Sequence, residues 1–127
     1  MATLSKLLLQ PTLVALARTG STSYSGSAID LANTVHVGGR QLKALLDVGA
    51  VTTAGTLDVK MQEDTTSAFT SASDISGAAF TQVTSSTGSE EIHFKATKRY
   101  VRAYAAPGAS TNGYTFGVYV LSELRVK

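Results

Sequence analysis

The chain has 127 residues, no cysteine, 16% charged residues and a formal net charge of +2. That length supports one hydrophobic core, roughly 100–200 residues being the span of a single domain, and a core of that size needs no metal or disulfide staple. Without cysteine there is no thiol nucleophile, thiolate zinc site or disulfide framework, and the weak net charge lacks the clustered basic field that binds nucleic acid.

The N-terminus reads MATLSKLLLQP, where Pro11 interrupts a short apolar run. A cleaved leader needs a longer apolar stretch and a small-residue cleavage site, so residues 1–11 read as a short arm or edge segment. No run of eighteen apolar residues offers a membrane span. Pro11 also disfavours helix at Gln10. Beyond it Leu13, Ala15 and Ala17 alternate with Val14, Leu16 and Arg18, as in an edge or first strand, with a short helix over 12–18 as the alternative. The expected organisation is this arm followed by one β domain over 12–127.

Thr19 to Ser27 is turn-rich, and Ala28 to Leu31 reads as a short extended piece. Thr34–Val37, Gly38-Gly39 and Arg40–Val48 read as a hairpin, the glycines supplying the positive φ of a tight turn. No Lys-Ser/Thr follows them in a strand–loop–helix context, so they are no phosphate cradle. Thr56–Gln62 alternates strictly, with Leu57, Val59 and Met61 against Asp58, Lys60 and Gln62. Glu63–Ala72 reads as a polar loop. Ile75, Ala79, Phe80 and Val83 suggest strand fragments about a turn at Gly77. Glu91–Ala96 alternates again, and in Tyr100–Ala105 Val101 and Ala103 oppose Tyr100, Arg102 and Tyr104. After a turn over Pro107–Gly113, Tyr114–Leu121 and Glu123–Val126 close the chain, with Gly117 marking a bulge or a close backbone approach. Short alternating strands between Gly/Ser/Thr turns specify an all-β, antiparallel β-sandwich or barrel.

Catalytic signatures are absent from this pattern. His36 and His93 are too few for a three-histidine site, leaving only a mixed set with Asp30 or Glu91, and His93 beside Glu91 reads better as an exposed strand pair. Glu63-Asp64 and Glu90-Glu91 are adjacent in sequence, so within a strand each pair points to opposite faces and cannot flank one bond as glycosidase carboxylates must. Both read as solvated acids. Lys95, Lys98, Arg99 and Arg102 form an ordinary solvated or interface-rim cluster. Tyrosine is concentrated late in the chain, at Tyr100, Tyr104, Tyr114 and Tyr119. Such rings pack on half-exposed sheets or anchor protein interfaces and sugars, although the absence of tryptophan weighs against a sugar platform. Serine and threonine together supply 31 residues. A surface polar through hydroxyls and poor in charge suits packing against other subunits.

The pieces Ala28–Leu31, Leu45–Ala50, Thr56–Asp64, Ile75–Phe80 and Arg99–Ala103, in that order, resemble the small head decoration, or cement, proteins of tailed bacteriophages. The resemblance spans residues 7–122 and rests most on Arg99-Tyr100-Val101-Arg102 and on the strand ending in Gln62-Glu63. It implies a jelly-roll-like antiparallel sandwich that trimerises on the capsid at three-fold positions, on the surface of a virion made in the bacterial cytoplasm. Its partners would be the major capsid protein and two further copies of itself, with no enzyme activity, cofactor, metal, nucleic acid or membrane involved. Leu7-Leu8-Leu9 departs from the more polar start expected of that family. Leucines near a terminus need burial, so Leu7, Leu8 and Leu9 are candidate partner contacts, together with Tyr104 and Tyr119. A carbohydrate-binding β-sandwich, or another head-fibre or tail-associated virion protein, is the alternative reading.

Overall fold

A computed structural model describes residues 4–19, 23–31, 41–51, 56–84, 87–108 and 113–126, with side chains over 23–31, 42–49, 56–84, 87–108 and 115–120. Among these residues run ten strands and no helix: β1 Leu4–Thr19, β2 Tyr24–Ser25, β3 Ile29–Asp30, β4 Gln41–Val51, β5 Thr56–Asp64, β6 Ser73–Ala79, β7 Val83–Thr84, β8 Gly88–Lys95, β9 Tyr100–Pro107 and β10 Gly113–Val126. All pairings are antiparallel. β2 and β3 both pair with β9, and β6 and β7 both pair with β5, so each couple acts as one interrupted strand.

The chain is thus one long hairpin paired from the outside in. β1 meets β10, β2 and β3 meet β9, β4 meets β8, and β5 meets β6 and β7. Rolled up, it deals its strands to two sheets, ordered β1-β10-β4-β8 and β2-β9-β5-β6. That is a jelly roll, an antiparallel β-sandwich.

The alternation in the sequence decides which faces meet. In β9, Val101, Ala103 and Ala105 are fully buried while Tyr100, Arg102 and Tyr104 face outward. In β5, Leu57, Val59 and Met61 point inward. They meet Leu42, Ala44, Leu46 and Val48 of β4 and Phe116, Val118 and Val120 of β10 in one core. Burying each large side chain contributes about 1.5–3 kcal/mol, and the small Ala44, Ala103 and Ala105 between them let the two layers interdigitate.

Several expectations need correction. The edge strand expected beyond Pro11 forms, in place of the alternative helix over 12–18, but it does not wait for Pro11. β1 begins at Leu4 and runs to Thr19 along the edge of its sheet, with register shifts after Pro11 and Ala15. Proline lacks a donor and is tolerated on such an edge beside a bulge. Gly77 is not a turn between fragments: with φ at +75° it sits in a wide bulge inside the continuous β6, between the pairs Lys60–Ala79 and Gln62–Asp74. The two closing segments fuse into β10. The proposed hairpin turn at Gly38-Gly39, with Thr34–Val37 and His36, lies outside the described residues; from 41 onward β4 lies between β10 and β8.

Candidate functional site

On the outer face of the β2-β9-β5-β6 sheet, register sets Asp58 against Ala106, Lys60 against Tyr104, Gln62 against Arg102 and Asp64 against Tyr100. The two middle pairs, Lys60–Tyr104 and Gln62–Arg102, form a ladder connected through Asp74. Lys60 Nζ donates to Asp74 Oδ2 at 2.7 Å and lies 5.4 Å from the centre of the Tyr104 ring. Gln62 Nε2 donates to Asp74 Oδ1 at 3.1 Å, and its Oε1 accepts from Arg102 Nε at 3.1 Å. The Arg102 guanidinium in turn lies 4.4 Å from the Phe69 ring centre. The Lys60 ammonium, then the Gln62 amide, hold the Asp74 carboxyl below its ordinary range. Both charges are substantially exposed, so the ion pair is worth only about 0.2–1 kcal/mol.

Glu63 and Asp64 are the sharpest departure from expectation. They are not solvated loop acids but buried, with 7% and 2% of their surface exposed. Glu63 continues the inward face of β5, opposite Val101, and fastens the β8–β9 turn across the end of the sandwich. Its Oε2 accepts the amides of Thr97 at 2.7 Å and Lys98 at 3.2 Å, and its Oε1 accepts the Thr97 hydroxyl at 2.7 Å. Asp64 points the other way and organises the loop over 65–72. The Ser71 N–H, at 2.8 Å from Oδ2, is the largest influence holding its carboxyl below the usual range; burial opposes it, and the Thr65 and Thr66 amides reinforce it. That loop carries Phe69 down over Arg102 and so buries Gln62 and Asp64 on what would otherwise be an open face. The sequence held one signal of this: Phe69 is the lone aromatic in the polar run from Glu63 to Ala72.

Four further acids are similarly committed. Glu90 accepts the Thr81 amide at 2.9 Å and its hydroxyl at 3.0 Å, tying β8 to the strand edge of the other sheet. Asp58 accepts Gln82 Nε2 at 3.1 Å on both oxygens. Arg99 grips Asp30 through two hydrogen bonds of 2.9 Å, which raise the guanidinium pKa further. Glu91 lies 3.4 Å from both Lys43 and His93, and Asp30 sits on the other sheet, so these two acids do not converge with His93 on one point. Among the described residues no group of three or more His, Asp or Glu is placed to hold a metal ion.

The candidate contact residues do not form one site. Tyr104 faces outward from the β2-β9-β5-β6 sheet. Tyr119 lies on the outer face of the other sheet, beside Leu45, with its ring laid over Gly117. The close neighbour at Gly117 is thus a side chain and not the backbone expected there: an added Cβ would stand 2.9 Å from the Tyr119 hydroxyl. Leu7, Leu8 and Leu9 stand in β1 opposite Glu123, Ser122 and Leu121, on the same sheet as Tyr119. Two surface depressions among the described residues, of about 190 and 170 Å³, are smaller than the ~300–1,000 Å³ of drug-sized ligand pockets.

No protein-family model matches the chain, nor does any curated protein. Among solved structures its fold is shared with the PBSX exported protein XepA, at a TM-score of 0.62 and 18% identity, over 91% of this chain and 36% of that one. The chain thus spans about a third of the length of XepA. Weaker likenesses, too distant to bear on function, are the dimeric latent PorU from Porphyromonas gingivalis, at a TM-score of 0.48 and 10% identity over 98% of this chain and 13% of that one, and a structure titled "CBM4 structure and function", at 0.41 and 11% over 86% and 66%.

Proposed function

We propose that this chain is a non-enzymatic virion structural protein, a capsid decoration protein that binds assembled phage shells and stabilises them as a trimer at three-fold positions. The observation that carries the reading is the destination of the acids. Glu63, Asp64 and Glu90 fasten turns and strand edges, and Asp30, Asp74 and Glu91 join ion pairs, so these six acids are spent on holding the fold together. What remains is a two-sheet tile whose described outward side chains are mostly polar. The ordered sequence pieces that resemble those of decoration proteins point the same way. XepA of PBSX, whose fold it shares, is an exported protein, and the reading likewise assigns this chain to material that leaves the cell.

The face proposed for the capsid and for neighbouring copies is the β1-β10-β4-β8 sheet. It carries Tyr119 and half-exposed Leu45 and, at its edge, the strand of Leu7, Leu8 and Leu9. The mechanism is thermodynamic. A ligand that binds only the assembled shell stabilises it by mass action, about 2.7 kcal/mol when its concentration is a hundred times Kd, and three linked contacts bind more tenaciously than one. The test is co-sedimentation with assembled shells and with unassembled capsid subunits, alongside light scattering of the free protein. Expected are binding to shells alone, a mass of three chains, and weaker binding by Tyr119→Ala. A folded protein that ignores shells, or binds loose subunits equally well, would overturn the reading.

A further inference from the structure

The opposite sheet carries a feature that shell binding does not use. Between β5, β6 and β9 lies the depression of about 170 Å³, lined by Asp58, Lys60, Ala79, Phe80, Tyr104 and Ala106. Its shape follows from register. Ala79 and Tyr104 flank Lys60 on its two neighbouring strands, and Ala106 faces Asp58. Two alanines among larger side chains leave a hollow with an aromatic wall, an apolar floor and polar groups at the rim.

We propose that this hollow is a binding subsite for one neutral sugar residue, a hexopyranose or its N-acetylated form. Tyr104 is the stacking platform, and Asp58 and Lys60 are the hydroxyl partners. A pyranose presents an apolar C–H face and a ring of hydroxyls, which matches half-buried Tyr104 beside exposed hydrogen-bonding groups. The Asp58 carboxylate only accepts, and suits hydroxyl donors. Gln82 holds it in place with contacts of 3.1 Å to both oxygens. Lys60 is held by Asp74 at 2.7 Å and only donates, so hydroxyls find both kinds of partner in fixed positions.

The charges choose among ligands. The Lys60 ammonium already lies 5.4 Å from the Tyr104 ring centre, so a basic side chain seeking that ring meets a like charge. Asp58 disfavours acidic sugars for the same reason. The volume fits one ring and not an enclosed oligosaccharide. This inference is independent of the decoration reading, because the hollow and Tyr119 lie on opposite sheets.

The test is a ¹⁵N-resolved NMR titration of the full chain with methyl glycosides of glucose, galactose and N-acetylglucosamine, supported by a glycan array. Expected are amide shifts confined to residues 58–60, 79–82 and 104–106. Tyr104→Ala should lose about tenfold or more in affinity, while Tyr104→Phe retains binding. Ala106→Leu should abolish binding by filling the hollow with the ring intact, and Tyr119→Ala should change nothing. Should Tyr104→Ala fail to fold, the contrast between Tyr104→Phe and Ala106→Leu still decides. No binding by the folded chain, binding unaffected by Ala106→Leu, or preference for uronic acids or for lysine- and arginine-rich peptides would overturn the proposal. Shell co-sedimentation of Tyr104→Phe and Ala106→Leu, expected to be normal, separates this outcome from failure of the decoration reading.

Discussion

The Asp64 carboxylate accepts amides from Thr65, Thr66 and Ser71, bonds that a protonated acid makes poorly. The Ser71 N–H above all holds its folded pKa below the ordinary value, and Asp74 is lowered likewise, by Lys60 first. A carboxyl depressed on folding binds fewer protons when folded, so the stability it lends is present above about pH 4, its unfolded value. That stability is lost as pH falls through the lower folded value. Asp64→Asn should therefore lower stability at pH 7 and flatten the loss below pH 4 in a denaturant-against-pH series; a profile with the wild-type slope would show that the bonds to the loop are not coupled to acid stability. Gly117 poses a different residue-scale problem. A Cβ there meets Tyr119 atoms at 2.9, 3.0 and 3.1 Å, all in the far end of a side chain that can swing away. Gly117→Ala should cost ~1 kcal/mol, and a double-mutant cycle should find that cost removed in a Tyr119→Ala background.

At the scale of elements, the loop over 65–72 behaves as a clamp on the outer face of β5 and β9. Phe69 sits at φ +52°, a left-handed conformation unusual for a bulky side chain, with its amide 3.2 Å from the Thr66 carbonyl oxygen. Holding it there costs ~1–2 kcal/mol relative to glycine, offset by burying the ring over Arg102. Phe69→Ala keeps the strain and loses the ring, whereas Phe69→Gly loses both. Hydrogen exchange at Ser71 should accelerate in both variants, with Phe69→Gly the more stable by ~1 kcal/mol. Equal exchange in the wild type and in both variants would mean that Asp64 alone holds the loop. This clamp also explains what sequence reading reaches and what it misses. The faces of β5 and β9 are legible because period-two alternation is local: Val59 and Val101 announce their burial two residues at a time. The burial of Gln62, Glu63 and Asp64 is not legible, because it depends on Phe69 folding back and on Thr97 arriving from 34 residues away. Polarity argues for solvent until the partners are known. β1 was obscured differently: Pro11 reads as a stop in isolation and is permitted only because the strand takes an edge. Tyr104 and Tyr119 are half-buried on outward strand positions, but which sheet each strand joins follows from the roll of the whole chain.

At the scale of the molecule, nested pairing makes closure the central problem of folding. β5 and β6 meet across a short loop, β4 and β8 across a longer one, and β1 with β10 joins Leu4 to Val126. Each outer layer must close a longer loop before its contacts reward it, which places the chain among domains that fold in milliseconds to seconds. The outermost pair should close last, since the inner layers shorten the loop that remains. Removing residues 1–10 strips the partner from Val120 to Val126, yet leaves β10 paired with β4 from Tyr114 to Leu121. The truncated chain should still fold. Because contacts formed after the transition state act on unfolding, its unfolding rate should rise about tenfold or more while its folding rate stays near that of the full chain. Stopped-flow chevrons in urea measure both limbs. A folding limb slowed as much as the unfolding limb is accelerated would place β1 in the nucleus, and the roll would then close from its rim inward.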